Sequence, residues 1–541
     1  MATRTKKTDN TGLDRELRAI GPDFPASYMA VKNLRFYART RPEALEPRAI
    51  HALGGVLTGT EHASQSNSRF LYLESARTLA DLLVNAVSPN QAEQAFDTLF
   101  RVVLKTAGKP RMAAAEALGL LPVAISGPEF KEKTAVSGAA LTWKELLKKA
   151  RVRAGYAGLV GRSIVAKAGD GVFVVKLARN KESSPQMLCR EAAWMEHLGG
   201  NGYSFPTRFD IPCPVSINGK FVFRLKNMPL QVQNGLDLHP KGYAIGFTAP
   251  RDYFSYPNDH REGKRLSDKD FKETMSRSAR LMGRLASLGI LHTAPIPLFH
   301  NRLQQERRND HGLYLWERMG RLDRWFHSCR YPNFGLSGIR DFEHLVSFNG
   351  HGRELYRRVG AHLLGMLLVA GSYFRAKDPD RMGFDAHGEP VDARDLFDRA
   401  ALEGVVREIF QEYYHGFVGQ AYRSGPPLDT CSLAERMIEE MGVDRHMGET
   451  LRLVDQEAMR DEEFRAFLLE RGFSEENAAR MRRGDEDVVI STGPHLGEFN
   501  RGISLPEIIE FVAAAAACCI SARYFRESIG TALWEPRSTS V

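Results

Sequence analysis

Lys176 sits at the end of a short β-branched run, Val172-Phe173-Val174-Val175-Lys176-Leu177. Glu191 follows fifteen residues later, inside the helical stretch from Met187 to Leu198. A lysine fixed on a strand can take phosphate charge, and a glutamate on a helix can hold that lysine in place. Much further along, Asp341 lies in Arg340-Asp341-Phe342-Glu343, with Asn333 eight residues before it. One Asp carboxylate and one Asn carbonyl are a sufficient protein share for Mg2+, which keeps waters and phosphate oxygens as its remaining ligands. Singly, each piece has an ordinary reading: a strand lysine is usually a solvated terminus, and an Asp-Phe pair is usually a turn. Together they are the residue types that hold a nucleoside triphosphate with its metal.

Order and spacing strengthen that combination. The segment Gly155-Tyr156-Ala157-Gly158-Leu159-Val160-Gly161-Arg162-Ser163 precedes the lysine run, and Gly169-Asp170-Gly171 predicts a hairpin turn between them. Glycines such as Gly158 and Gly161 permit close backbone approach to phosphates, whose oxygens backbone N–H groups can cradle. The alternative is an ordinary β-hairpin, and the lysine and glutamate that follow in order favour the nucleotide loop. Phe221–Leu225 and Gly242–Phe247 read as further strands, with Thr248-Ala249-Pro250 as a link out of the sheet. From Asp268 to Gly289 apolar residues recur at three- and four-residue steps, which predicts a helix. That helix leads into Leu291-His292-Thr293-Ala294.

This series resembles a protein kinase in which one acid is missing. A kinase catalytic loop reads His-x-Asp, and its metal segment reads Asp-Phe-Gly. Here Ala294 stands where an aspartate would accept a substrate hydroxyl's proton, and Glu343 stands where the glycine would be. Within that likeness, three stretches resemble the SidJ-related pseudokinase family: Leu291 through Asn301, Gly320-Arg321-Leu322-Asp323-Arg324-Trp325, and Tyr331 through His344. The family takes its name from a bacterial effector that keeps a kinase fold and uses ATP to ligate glutamate onto protein side chains through an adenylylated acyl intermediate. The resemblance covers about residues 150–425. It implies ATP and Mg2+ as ligands, with Lys176 and Glu191 as the ATP-orienting pair and Asp341 and Asn333 as metal ligands. It also implies that His292 and Arg321 belong to a second nucleotide pocket whose aromatic is Tyr314. Two departures stand out. Glu343-His344 replaces the glycine of the metal loop, and the C-terminal region shows no IQ-type helix for calmodulin.

The chemistry can also be argued from the residues alone. An arginine near phosphates offers a planar fork of donors and stabilises charge that develops in the transition state. A carboxylate nucleophile is already ionised at neutral pH, so the absence of a base at Ala294 is compatible with attack by a carboxylate and much less so with attack by a hydroxyl. Other readings stay open: Arg321 in a surface ion pair with Asp323 or Glu317, and His292 as a hydrogen-bonded buttress of its loop.

These residues need elements to position them, and 541 residues allow two to four domains with ample cores. The expected class is α+β, a protein-kinase-like bilobal domain at 150–425 flanked by helical regions. An N-terminal extension (1–40) is followed by a HEAT-like region (41–135), where Arg69…Glu74 and Arg111…Glu116 repeat at an offset of 42 residues. Gly127-Pro128 through Ser137-Gly138 is the expected linker, and 426–541 reads as C-terminal helices, where Arg445-His446 sits in a polar turn. Seventy-four basic against 66 acidic residues give a net charge of +8, mild for this length and without a basic stripe, so a nucleic-acid partner is not expected. The six cysteines show no CxxC pair, which indicates free thiols in a reducing compartment. With no apolar segment after the polar start, the expected location is cytoplasmic. The apolar run Phe511–Ile520 is half a membrane span and reads as a buried helix. Two functions follow as expectations: an ATP- and Mg2+-dependent transferase that adenylylates a carboxylate and ligates glutamate to a protein acceptor, or a catalytically silent nucleotide-binding scaffold.

Overall fold

A computed structural model describes residues 11–59, 67–129, 136–155, 157–226, 238–257, 266–297, 329, 331–375, 399–419, 428–440 and 505–529. The fold is mixed helix and strand, of the α+β class. It divides into two compact units: a helical one made of residues up to Ile125 and from Asn349 onward, and a sheet-bearing one between Ser126 and Phe348. Residues 349–375 and 399–419 group with the N-terminal helices.

The helical unit starts with α1 (Thr11–Ala19), α2 (Phe24–Thr40), α3 (Pro47–Thr58), α4 (Ser68–Asn85), α5 (Pro89–Lys105), α6 (Lys109–Gly119) and the short strand β1 (Ala124–Ser126). Residues 11–40 thus hold two helices of this unit. Helix α2 packs along α4, and Arg35 ties them by reaching Glu74 at 3.0 Å and Asp81 at 2.6 Å. The paired segments of the 42-residue repeat fall on α4 and α6, which also pack together.

In the second unit the chain forms β2 (Val136–Thr142), α7 (Trp143–Ala150), β3 (Ala157–Val160), β4 (Ser163–Ala168), β5 (Gly171–Leu177), α8 (Ser184–Gly200), β6 (Cys213–Pro214), β7 (Val222–Lys226) and β8 (Tyr243–Pro250). After these come α9 (Asp268–Ser287), β9 (Ile290–His292), the tight hairpin β10 (Phe334–Gly335) and β11 (Gly338–Ile339), and β12 (Leu345–Ser347). One seven-stranded sheet runs β2-β7-β8-β5-β4-β3, with β6 also on β8. Only β2 pairs in parallel, with β7; the other pairings in this sheet are antiparallel. The expected linker thus ends early, since 136–142 is a strand. The expected link Thr248-Ala249-Pro250 is strand too, lying opposite Phe173, Val172 and Gly171. Strand β8 runs the whole length of β5, which pairs the backbone groups of a strand whose second half is fully buried.

Side chains of β5 alternate between faces. Phe173, Val175 and Leu177 join Leu141, Leu146, Ile164 and Phe223 in a core on one side, each buried large side chain worth about 1.5–3 kcal/mol. Helix α7 covers that side, started by a capping box in which Thr142 and Glu145 exchange hydrogen bonds. Lys176 belongs to the opposite alternation.

The chain returns to the helical unit at β13 (Asn349–His351) and continues through α10 (Gly352–Arg375), α11 (Arg399–Val418), α12 (Thr430–Glu440) and α13 (Leu505–Tyr524). Phe511–Ile520 is buried along its whole length in α13, against α6, α10 and α11. Among the described residues no helix is long and apolar enough to cross a membrane.

Candidate functional site

The site is built by three local structures of the sheet-bearing unit. Strand β5 delivers Lys176, which lies in register with Ser163 on β4 and Ile245 on β8. Helix α8 delivers Glu191. A turn after β11 delivers Asp341, whose backbone is left-handed at φ 51°. That conformation costs an L-residue roughly 1–2 kcal/mol. The three meet at one ammonium: Lys176 Nζ donates to Glu191 Oε1 at 2.8 Å and to Asp341 Oδ1 at 2.7 Å. The sequence-predicted lysine, glutamate and aspartate are therefore brought together, across separations of up to 165 residues.

Two further charges complete the cluster. Strands β3 and β4 join through Gly161-Arg162 alone, with Val160 opposite Ser163 and Gly161 at φ 53°. The glycine segment is thus a tight hairpin rather than an open loop, and Gly158 lies within β3, opposite Val165. The hairpin's turn ends beside Lys176, because Ser163 pairs with it. From there Arg162 donates to the Leu177 carbonyl at 3.1 Å and, through Nη2, to both Glu343 oxygens at 2.6 Å. Glu343 Oε2 is also 3.7 Å from Lys176 Nζ, and His344 Nε2 is 3.5 Å from Glu343 Oε1.

The electrostatics follow from two cations among three carboxylates in a buried place. Burial opposes the charge of Lys176, but Asp341, Glu191 and Glu343 outweigh it and raise the ammonium's pKa. Arg162 behaves the same way, with Glu343 first among the carboxylates that offset its burial. Burial also works against Glu343, yet Lys176 and Arg162 hold its carboxyl down at about 2. Glu191 is the carboxylate left over. Burial pushes it up to about 7, Lys176 only partly counters this, and Glu343 and Asp341 add to it. Its Oε2 has no hydrogen-bond partner among the described residues. Asp341 is the cluster's opening to solvent, with a side chain 29% exposed against 6% or less for Lys176, Glu191 and Glu343.

Beneath the cluster lies a frame of buried polar groups. Gly289, at φ 69°, passes so close to Gly127 that a Cβ there would come within 2.4 Å of the Gly127 nitrogen; this fixes the entry to β9. His292 at the end of β9 is buried; its Nε2 donates to the Arg340 carbonyl at 2.8 Å and its Nδ1 accepts from Ala294 N at 3.2 Å. Both ring nitrogens serve the backbone, as they do in a histidine that buttresses its loop. Arg340 donates to the carbonyls of Tyr253, Pro332 and Phe334 and lies 4.1 Å over the Tyr256 ring. Asn333 is buried, with its amide nitrogen donating to the Ala294 carbonyl at 2.9 Å. Ala294 itself is fully buried. Phe342 is buried and stacks on Phe209 at 6.1 Å. Arg321 and Tyr314 lie outside the described residues, as does Arg445-His446.

Among the described residues no group of three or more His, Cys, Asp and Glu side chains is arranged to hold a metal ion. A magnesium that arrives with phosphates needs only one or two protein carboxylates, and the exposed edge of Asp341 meets that lesser requirement. Sequence reasoning named Arg162, Arg340 and Glu343 without giving them roles. The signal for Glu343 was its departure from glycine; Arg162 had none beyond its place in the turn before the lysine strand. No family model matches the chain, and no curated protein matches it.

Proposed function

We propose that the sheet-bearing unit is the nucleotide-binding part of a protein-kinase-like bilobal pseudokinase of the SidJ-related kind. In this reading it is an ATP- and Mg2+-dependent transferase that activates a carboxylate and ligates glutamate to a protein acceptor. The observation that carries the reading is the Lys176 ammonium held between Glu191 on a helix and Asp341 in an Asp-Phe segment, the constellation that nucleotide phosphates and their metal require in kinases. Strand order supports it, since the glycine hairpin, the lysine strand and β8 lie side by side. A side chain at Gly158 would meet no described atom within 4 Å, so packing does not demand that glycine and the space over the hairpin is open to a ligand.

In this reading Lys176 meets phosphate oxygens, Glu191 orients it, and Asp341, with Asn333 beside Ala294, holds Mg2+, which supplies charge neutralisation. The buried Ala294 offers no base, which suits a nucleophile that needs none. A carboxylate oxygen attacks the α-phosphorus and the bond to pyrophosphate breaks, giving an acyl adenylate. The amine of glutamate then displaces AMP to form the amide. The test is chromatographic: incubation with ATP, Mg2+, glutamate and candidate acceptors should yield AMP and pyrophosphate. ADP with stoichiometric phosphoprotein would overturn this reading in favour of an ordinary kinase.

One observation favours a second reading, the silent scaffold. Both cations of the cluster are already matched by internal carboxylates at 2.6–2.8 Å. Binding of Mg-ATP with no AMP, ADP or pyrophosphate formed from it would select it.

A further inference from the structure

Glu343 stands where a kinase's metal segment has a glycine, and it does more than fill space. Its carboxylate takes both hydrogen bonds from Arg162 Nη2 at 2.6 Å and faces Lys176 at 3.7 Å, while its own side chain is 5% exposed. The pair joins the turn of the β3–β4 hairpin to the segment carrying Asp341, 181 residues apart. Without Glu343 the cluster would hold two cations and two carboxylates. With it there are three carboxylates for two cations, and both cations are engaged from within. A bare polyphosphate meets a closed arginine fork and the like charge of Glu343. A polyphosphate carrying a divalent cation meets a different surface, because Asp341 is the carboxylate whose side chain reaches solvent.

We infer that Glu343 is a specificity-determining gate that restricts the site to phosphate ligands arriving with a divalent cation. It rests on the nucleotide reading above and adds a condition to it: the metal is the means of admission as well as a participant. Glu343→Gln keeps the shape and two polar atoms of the side chain, removes its negative charge and loosens the fork.

Calorimetric titration of the full chain tests this with sodium tripolyphosphate, in EDTA or in excess Mg2+, and with Mg-ATP as the reference ligand. The wild type should bind tripolyphosphate at least tenfold more tightly with Mg2+ than without. The Gln variant should bind the metal-free ligand at least tenfold more tightly than the wild type does. Deuterium uptake across residues 157–168 should rise at least tenfold in rate in the variant while other segments keep theirs, which also reports that the variant is folded. Should the variant not fold, the wild-type comparison decides, and equal affinity with and without Mg2+ overturns the gate. If Mg-ATP binds but Glu343→Gln gains nothing in EDTA, the gate is wrong and the nucleotide reading stands. If neither protein binds Mg-ATP or tripolyphosphate, both fall.

Discussion

Asp341 combines a strained backbone with the exposed edge of a buried charge cluster. Its left-handed conformation persists because the residues around it are tied down, Arg340 by three carbonyls and Phe342 by Phe209. Asp341→Asn retains the shape and removes the anionic oxygen, so it should lower pyrophosphate release by at least about 10²-fold, in line with the loss of a group that stabilises transition-state charge. Its melting temperature should stay within a few degrees of wild type; retained turnover would refute the metal assignment. The cluster also sets a pH dependence. Glu191 has its folded pKa raised to about 7 from an ordinary 4.5, so the stability it contributes is complete below 4.5 and lost as pH rises through 7. Glu191→Gln lacks that titration. The melting temperature of the variant relative to wild type should therefore climb between pH 5 and pH 8, and a flat or falling difference would contradict the picture. Glu343 works at the other end, its contribution present above 4.5 and lost as pH falls through about 2. Lys176, Glu191 and Asp341 were legible in the sequence because each sits in a local pattern of strand, helix or turn. The partnership of Arg162 with Glu343 was not, because it depends on how a two-residue turn aims a side chain at a segment 181 positions away. His292 was legible only as a choice between two roles, and its two backbone hydrogen bonds fit the buttress.

Among the elements, the β10–β11 hairpin shows how little tolerance the site's support has. Gly338 lies at φ 114°, and a Cβ there would come within 2.5 Å of the Phe209 ring. Gly338→Ala should cost about 2 kcal/mol or more from backbone strain and displaced packing. At roughly 2–4 °C per kcal/mol for a unit of this size, calorimetry should record a drop of at least 4 °C. A loss under 1 °C would mean that Phe209 has no fixed seat, and that the Phe209–Phe342 stack does not hold the Asp341 turn. Periodicity located β5, α8 and α9 because burial selects strand and helix faces directly. It missed β2, whose Val136-Ser137-Gly138-Ala139-Ala140 start is poor in large β-branched residues and is a strand because β7 offers it a parallel partner. It ended β8 too soon at Thr248, since a proline two residues on reads as a break.

At the scale of the molecule, the proposed function makes a thermodynamic demand. Mg-ATP at about 100 times its Kd should stabilise the fold that binds it by roughly 2.7 kcal/mol, visible as an upward shift of one melting transition; no shift up to millimolar nucleotide would argue against nucleotide binding altogether. Reinstating an acid with Ala294→Asp should not create a robust kinase, because in the proposed reading the phosphates are posed for attack at the α-phosphorus. Strand-like runs and helical periodicity described the molecule correctly as mixed helix and strand. The division into units was beyond their reach, since nothing local in α13 shows that it belongs with α6 rather than with its neighbours in sequence.

That division has a consequence for the nascent chain. The helical unit is split by the whole of the other unit, and α6, already packed on α4, gains its second large apolar partner only when α13 appears, with Arg111 over the Phe511 ring marking the join. At ribosomal rates of about 5–20 residues per second, the stretch between Ile125 and Leu505 takes roughly 20–80 s to make. For that interval α1–α6 exist without α13, and every strand of the seven-stranded sheet is made within it. The apolar face of α6 that α13 covers is thus open to a chaperone throughout, and α13 is what removes it.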